Sequence, residues 1–205
     1  MEKEKRMYHH KDLRNALIEK GIQLVHEEGI NAFSLRKAAA ACHVSHAAPY
    51  AHFSSKEDLL HAMQVYISEQ FTKRLKQTLT DYQGSSVLLE KLGITYLRFF
   101  LDNPFYFDFL YNQSDIQIDL TSSEPIQGNY APFELFKQAV RDTVKETLPK
   151  DQLMDLMVSL WAFIHGITSL ATMKNTLYRE QWEIKLIDYM NIFLSSTCQS
   201  QEKLL

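Results

Sequence analysis

The stretch Ser34–Lys56, SLRKAAAACHVSHAAPYAHFSSK, decides how this chain reads. Ser34 offers a side-chain oxygen to the free N–H groups of a helix of about two turns ending near Cys42. Ser45 offers a second cap, for a helix running to about His52. Ser54, with Glu57 three residues on, has the spacing of a capping box and predicts a longer helix reaching about Thr80. Two short helices meeting at a tight turn suit a DNA major groove, about 12 Å wide, better than a catalytic cleft. Ser45, His46, Ala47 and Ala48 then form an uncluttered leading turn: an alanine methyl can meet a thymine methyl, and His46 can donate to a base edge or a phosphate. Pro49 falls in the first turn, where a missing N–H does least harm. Tyr50 and His52 are placed to bond phosphate, Lys56 adds a cation beside the next helix N-terminus, and Phe53 packs inward. Ser34 and Arg36, at the start of the first helix of the pair, complete the candidate DNA-contacting set.

The rest of the chain neither contradicts this nor adds an enzyme. With 205 residues, 45% of them hydrophobic, it can bury a core in one or two domains. The net charge is −3, and residues 1–60 carry nine Lys/Arg against eight Asp/Glu. A basic footprint must therefore come from local arrangement. Cys42 and Cys198 match no metal or redox spacing, and the charged start MEKEKRMYHHKD has no apolar core of a signal peptide. A reduced, cytoplasmic setting is expected. No Gly-rich phosphate loop, nucleophile elbow, zinc-protease helix pair or Cys-x-x-Cys is present, and catalysis resting on His165 and Asp108 would be scattered. The expectation is no enzyme, no cofactor and no metal.

Sparse glycine and proline and the absence of strand alternation predict an all-α chain. A first helix spans about Lys11 to Glu28 and stops at Gly29. Gly84 and its serines put a domain boundary in 82–86. Further helices are expected over 87–101, from an Asp102 or Asn103 cap followed by Pro104, and over 132–147, 151–173 and 178–197; 115–130 reads as a poorly ordered loop. The uncharged run 156–173 sits at the lower edge of membrane-spanning length. Its Ser159, His165, Gly166, Thr168, Ser169 and Thr172 argue instead for a buried central helix and no membrane.

The segment LRNALIEKGIQLVHEEGINAFSLRKAAAACHVSHAAPYAHFSSKEDLLHAM resembles the N-terminal domain of the tetracycline-repressor (TetR) family. The likeness covers about residues 10–65, at Gly29, Ser34, Ala39, Val44-Ser45, Tyr50, His52-Phe53, Ser55-Lys56-Glu57 and Leu59-Leu60. WAFIHG, with Trp161, His165 and Gly166, and the Asn103-Pro104-Phe105 helix start are similar to a subgroup named for a Trp-His-Gly signature. The chain departs from the family at His43, where glycine is usual in the turn, and at Ala38, where a bulky aliphatic is common. Gly21 inside the first helix is unfavourable by about 1 kcal/mol relative to alanine.

The resemblance implies a helix-turn-helix DNA-binding domain over 10–70 and a larger helical domain over 85–200 for effector binding and dimerisation. It implies a sequence-specific homodimeric repressor on a palindromic double-stranded DNA operator, released by a small apolar or aromatic effector. The competing readings are a helical small-molecule-binding protein or enzyme without DNA binding, and a membrane-associated helical protein. Phe105, Phe109, Phe133, Phe136, Trp161 and His165 are candidate ligand-binding residues, drawn from a dense aromatic supply that core packing also needs. His165 reads equally as a core histidine. Cys42, His43 and His46 lie close together, but a turn separates them and no further ligand completes a metal set. Leu186, Met190, Phe193 and Thr197 recur at helical spacing and offer a face to a partner chain.

Overall fold

The computed structural model describes residues 10–144 and 148–202, with side chains described over 13–144 and 148–192. Eight α-helices and no strand occur among the described residues. They are α1 (His10–Glu28), α2 (Leu35–Ala41), α3 (Lys56–Asp81), α4 (Leu88–Asp102), α5 (Pro104–Asp108), α6 (Ala131–Val144), α7 (Lys150–Thr172) and α8 (Trp182–Glu202). A 3-10 turn, Ala48–Ala51, precedes α3, and a π-turn, Phe109–Gln113, follows α5. The all-α expectation holds.

The chain forms two compact units. One contains the residues up to Glu69 together with Phe105–Ile116; the other contains Gln70–Pro104 and the residues from Gln117 on. The division falls inside α3, not at 82–86, which forms a turn with Gly84 at φ 74°.

In the first unit, Leu17, Ile18, Ile22 and Val25 of α1 close over Phe33, Ala38, Leu59 and Met63, all buried. Ala38 is fully buried where the family often has a larger residue, so the core there is close-packed around a methyl group. Gly21 has a packing reason: a Cβ built on it would lie 2.0 Å from Met63 Cε and 3.4 Å from Phe33 Cζ. Gly29 ends α1 at φ 83°, its N–H donating to the Val25 carbonyl at 2.9 Å.

In the second unit α4 packs on α6, α7 and α8, and α6 on α7. Phe71, Tyr96, Phe99 and Phe100 form an aromatic cluster with ring centroids 4.9–5.1 Å apart. Asn103 closes α4 instead of capping α5: its Nδ2 donates to the Phe99 carbonyl at 2.9 Å.

The 115–130 segment is a loop, but a tethered one. Asn129 Oδ1 accepts from the Asp119 N–H at 2.8 Å, and its Nδ2 donates to Glu134 at 2.6 Å. Lys137 of α6 is fully buried and donates to the Ser122 and Glu124 carbonyls at 3.0 and 2.8 Å while pairing with Glu134 at 2.7 Å. Arg141 adds a bond to the Ser123 carbonyl.

Helix α7 alone among the described helices has the length and apolar composition to cross a membrane. It is not buried all round. Met157, Leu160, Trp161, Ile164 and Thr168 point into the unit, while Ser159, Ala162, Gly166, Leu170 and Met173 are exposed along the other flank. The expected seam on α8 also turns out differently. Leu186 is fully buried, its Cδ2 3.7 Å from where a Gly93 Cβ would stand, and Met190 Sδ approaches the same point at 3.4 Å. These two face α4, and the apolar positions turned outward are Ile184 and Ile192. The Phe193 and Thr197 side chains, with Cys198 and residues 145–147, lie outside the described residues.

Candidate functional site

The turn between α2 and the 3-10 turn is built as a Schellman motif. The His43 N–H donates to the Ala40 carbonyl and the Val44 N–H to the Ala39 carbonyl, both at 3.0 Å. The residue between them must be left-handed, and His43 stands there at φ 56°. Its side chain is exposed, so nothing packed repays the strain. His43→Gly should therefore raise stability by about 0.5–1 kcal/mol, read as a higher midpoint in urea unfolding.

Ser34 caps α2 as expected, its Oγ accepting from the Lys37 N–H at 3.3 Å. Ser45 opens no α-helix. The Ala48 N–H reaches back only three residues to the Ser45 carbonyl at 3.0 Å, Tyr50 likewise to Ala47 at 3.2 Å, and Pro49 has no N–H to contribute. The result is a single 3-10 turn with no side-chain cap. Buried Pro49 and Phe53 anchor it; Ser45, His46 and Ala47 stand exposed before half-buried Ala48, and Tyr50 is 63% exposed after Pro49. Arg36 and Lys37 are exposed on α2 beside it.

Two sequence-predicted contacts are placed otherwise. Lys56 Nζ donates to the Ile30 carbonyl at 2.6 Å, so the ammonium staples the α1–α2 loop to the start of α3 instead of standing free at a helix end. His52 is half-buried with its Nε2 enclosed, away from the outward face that carries Tyr50. The cap of α3 is shifted by one residue as well. Ser55 Oγ accepts from the Asp58 N–H at 3.1 Å, and the Asp58 carboxylate accepts the Ser54 N–H at 2.8 Å. The Ser54 backbone bond holds the Asp58 carboxyl below its ordinary range.

Phe105 and Phe109 belong to the same unit as this reading turn. Phe105 stacks on the His26 ring at 4.4 Å, His26 Nδ1 lies 3.3 Å from Asp108 Oδ2, and Phe109 is buried. The chain after Pro104 returns to α1 within that unit. Asp108 belongs to the first unit and His165 to the second. No group of three or more metal-ligating side chains occurs among the described residues.

The second unit holds a narrow apolar pocket of about 30 Å³, part of it open to solvent. Leu89, Leu92, Phe136, Leu160, Trp161 and Ile164 supply most of its walls, with Tyr96 among them. Of the candidates, Phe136 and Trp161 line it directly. Phe133 is fully buried behind Trp161, ring centroids 5.1 Å apart. His165 stands at one remove, its Nδ1 2.9 Å from the Tyr96 hydroxyl, and burial pulls its pKa below the ordinary value, favouring the neutral ring. Tyr96 was missed from sequence; the sole available signal was a hydroxyl-bearing ring within the apolar face of residues 88–102.

Among solved structures, a protein of unknown function from Rhodococcus sp. RHA1 superposes with a TM-score of 0.68 at 21% identity, covering 94% of this chain and 98% of that one. A tetR-family regulatory protein from Rhodococcus RHA1 gives 0.65 at 14% identity, covering 88% and 94%. A variant of TetR from Acinetobacter baumannii AYE, in complex with minocycline, gives 0.54 at 16% identity, covering 93% and 96%. These likenesses are of fold. No curated protein sequence matches the chain. The family profile of bacterial regulatory proteins of the tetR family matches residues 17–63, and that of the tetracyclin repressor-like C-terminal domain matches residues 89–181. With its reading turn inside the first match and most of its pocket walls inside the second, the chain belongs to the tetR family of DNA-binding transcriptional regulators.

Proposed function

We propose that this regulator is a cytoplasmic homodimeric repressor whose grip on a palindromic operator weakens when a small molecule fills the apolar pocket. The observation that carries the DNA side is the turn Ser45–Tyr50, in which Ser45, His46, Ala47 and Tyr50 are exposed while Pro49, with Phe53, is buried. Short side chains let the backbone approach base edges, and Tyr50 and Arg36 reach phosphates. A two-fold dimer presents two such turns to two half-sites, which is why the operator is palindromic. The outward flank of α7, with Ser159, Ala162, Gly166, Leu170 and Met173 exposed, supports a seam between copies, because it is apolar or small. The minocycline complex of a protein with this fold supports control by a small molecule. Release requires the effector to favour an arrangement whose reading turns no longer match the operator, and a coupling of about 2–3 kcal/mol changes affinity roughly 30–150-fold.

Selection of bound sites from random duplexes tests this, and an inverted repeat is the expected yield. On that operator Ala47→Glu should weaken binding at least about 100-fold, because it sets a carboxylate against the groove. Arg36→Ala should weaken binding alike on every sequence and reduce the log–log salt slope by about one. Parental affinity in the Ala47→Glu protein would exclude this turn as the reading element.

A further inference from the structure

The unit that carries the reading turn has an unexpected charge for a partner of DNA. Its residues, 1–69 and 105–116, hold nine Lys/Arg against eleven Asp/Glu, together with seven of the chain's eight histidines. Most of the cations among residues 13–69 are already engaged. Lys37 pairs with Glu28, Lys56 Nζ donates to the Ile30 carbonyl, Lys20 Nζ donates to Gln23 at 3.3 Å, and the Arg14 guanidinium lies 5.4 Å over the Phe53 ring. That leaves Arg36, although duplex binding draws much of its affinity from neutralised phosphates. Histidine supplies further positive charge, and only when protonated.

Two of these histidines flank or enter the turn with exposed side chains, His43 just before it and His46 within it. His43 holds a left-handed backbone, φ 56°, that glycine adopts without strain. Its ring is exposed, so packing within the chain does not account for it, and a strained residue of this kind points to a task outside its own domain. Helix α1 packs on α2, and α2 on the 3-10 turn. The later turns of α1 bring Lys20, His26, Glu27 and Glu28, of which His26 turns to Asp108 and Glu28 to Lys37. Helix α2 brings Arg36, Lys37 and the Cys42 thiol, which burial pushes up and so keeps neutral near pH 7; the 3-10 turn brings Tyr50. None of these bonds or pairs with the His43 or His46 imidazole among the described residues. No carboxylate fixes the charge of either ring in the free protein, whereas phosphates do so in a complex.

We propose that His43 and His46 grip operator phosphates as imidazolium ions, so that this protein takes up protons as it binds DNA; this rests on the turn being the reading element. An imidazole held against phosphate keeps its proton to higher pH than one in water. The affinity it adds is full in acid and is lost as pH rises, so binding tightens on acidification. On the operator recovered from random duplexes, the full chain should bind at least about threefold more tightly at about pH 6 than at about pH 8, at fixed salt. The log–log salt slope should steepen in acid by about one for each imidazolium engaged. Calorimetry in two buffers of different ionisation enthalpy should show a net uptake of protons on binding. His43→Gly combined with His46→Gln should bring the affinity ratio below about threefold and end the uptake. Because His43→Gly relieves the left-handed backbone, a lost pH dependence in that protein is not a failure to fold. His43→Asn, uncharged and tolerant of the same backbone, repeats the test beside His46→Gln. A parental ratio below about threefold, or a double variant that stays above it, overturns the proposal. The two readings fail differently. A specific site bound equally at both pH values keeps the turn as reader and removes the imidazolium contacts; no duplex selected or bound at either pH removes both.

Discussion

Lys137→Met is expected to lower the unfolding free energy by about 3–5 kcal/mol, the usual consequence of removing one partner from a buried ion pair. Lys137 has no exposed surface, and its ammonium meets Glu134 at 2.7 Å and two carbonyls of the 115–130 loop. Methionine fills nearly the same volume, so packing changes little and the effect isolates the charge. Left behind are a carboxylate that is mostly enclosed and two carbonyls without their donor. Glu134 is held by Asn129 and by the Ile126 N–H as well, so the loss spreads into the loop that those bonds shape. For a chain of this length the thermal midpoint should fall by about 6–20 °C. Urea unfolding followed by circular dichroism measures it, and a loss below about 1 kcal/mol would show that the loop is held without the cation.

Gly166→Glu is expected to convert the homodimer proposed above to monomer, raising its dissociation constant at least about 100-fold, with operator affinity falling in step. A Cβ built on Gly166 meets nothing within 4 Å, so the single chain has room for the new side chain. Helix propensity improves by about 1 kcal/mol at that position, which keeps the monomer folded. Two copies related by a two-fold axis and joined along Ser159, Ala162, Gly166, Leu170 and Met173 would bring their two carboxylates together out of water. Sedimentation equilibrium, paired with operator titration, reads both effects. A variant that stays dimeric and binds DNA like the parent would move the seam away from α7.

What could be read in the sequence is what local chemistry dictates. The Ser34 cap, the Gly29 stop and the left-handed turn at His43 depend on residues within one or two turns, and each stands where the spacing puts it. The α-helical reading turn failed because cap spacing carries no information about whether i→i+4 bonds will follow; the Ala48 and Tyr50 N–H groups reach back three residues instead. Longer-range facts were illegible. A periodic stripe on α8 says that one flank is apolar, not whether that flank meets α4 or another molecule, and Leu186 meets α4. Lys137 sits in an amphipathic helix where a lysine ordinarily faces solvent, and only the returning loop makes it a core residue. Phe105 and Phe109 join the candidate pocket aromatics because a dense aromatic supply does not tell which rings meet. The turn at Pro104 sends them to α1, so Phe136 and Trp161 line the pocket without them.

Gly21 carries a lesson for anyone tempted to harden this domain by rule. Propensity tables mark a glycine in mid-helix as a defect to be mended with alanine. Here the vacancy beside the backbone is the berth of a methionine tip, with a phenyl ring just behind it. A methyl group added there would make the Met63 terminal methyl swing aside, so the substitution gains less than the tables promise.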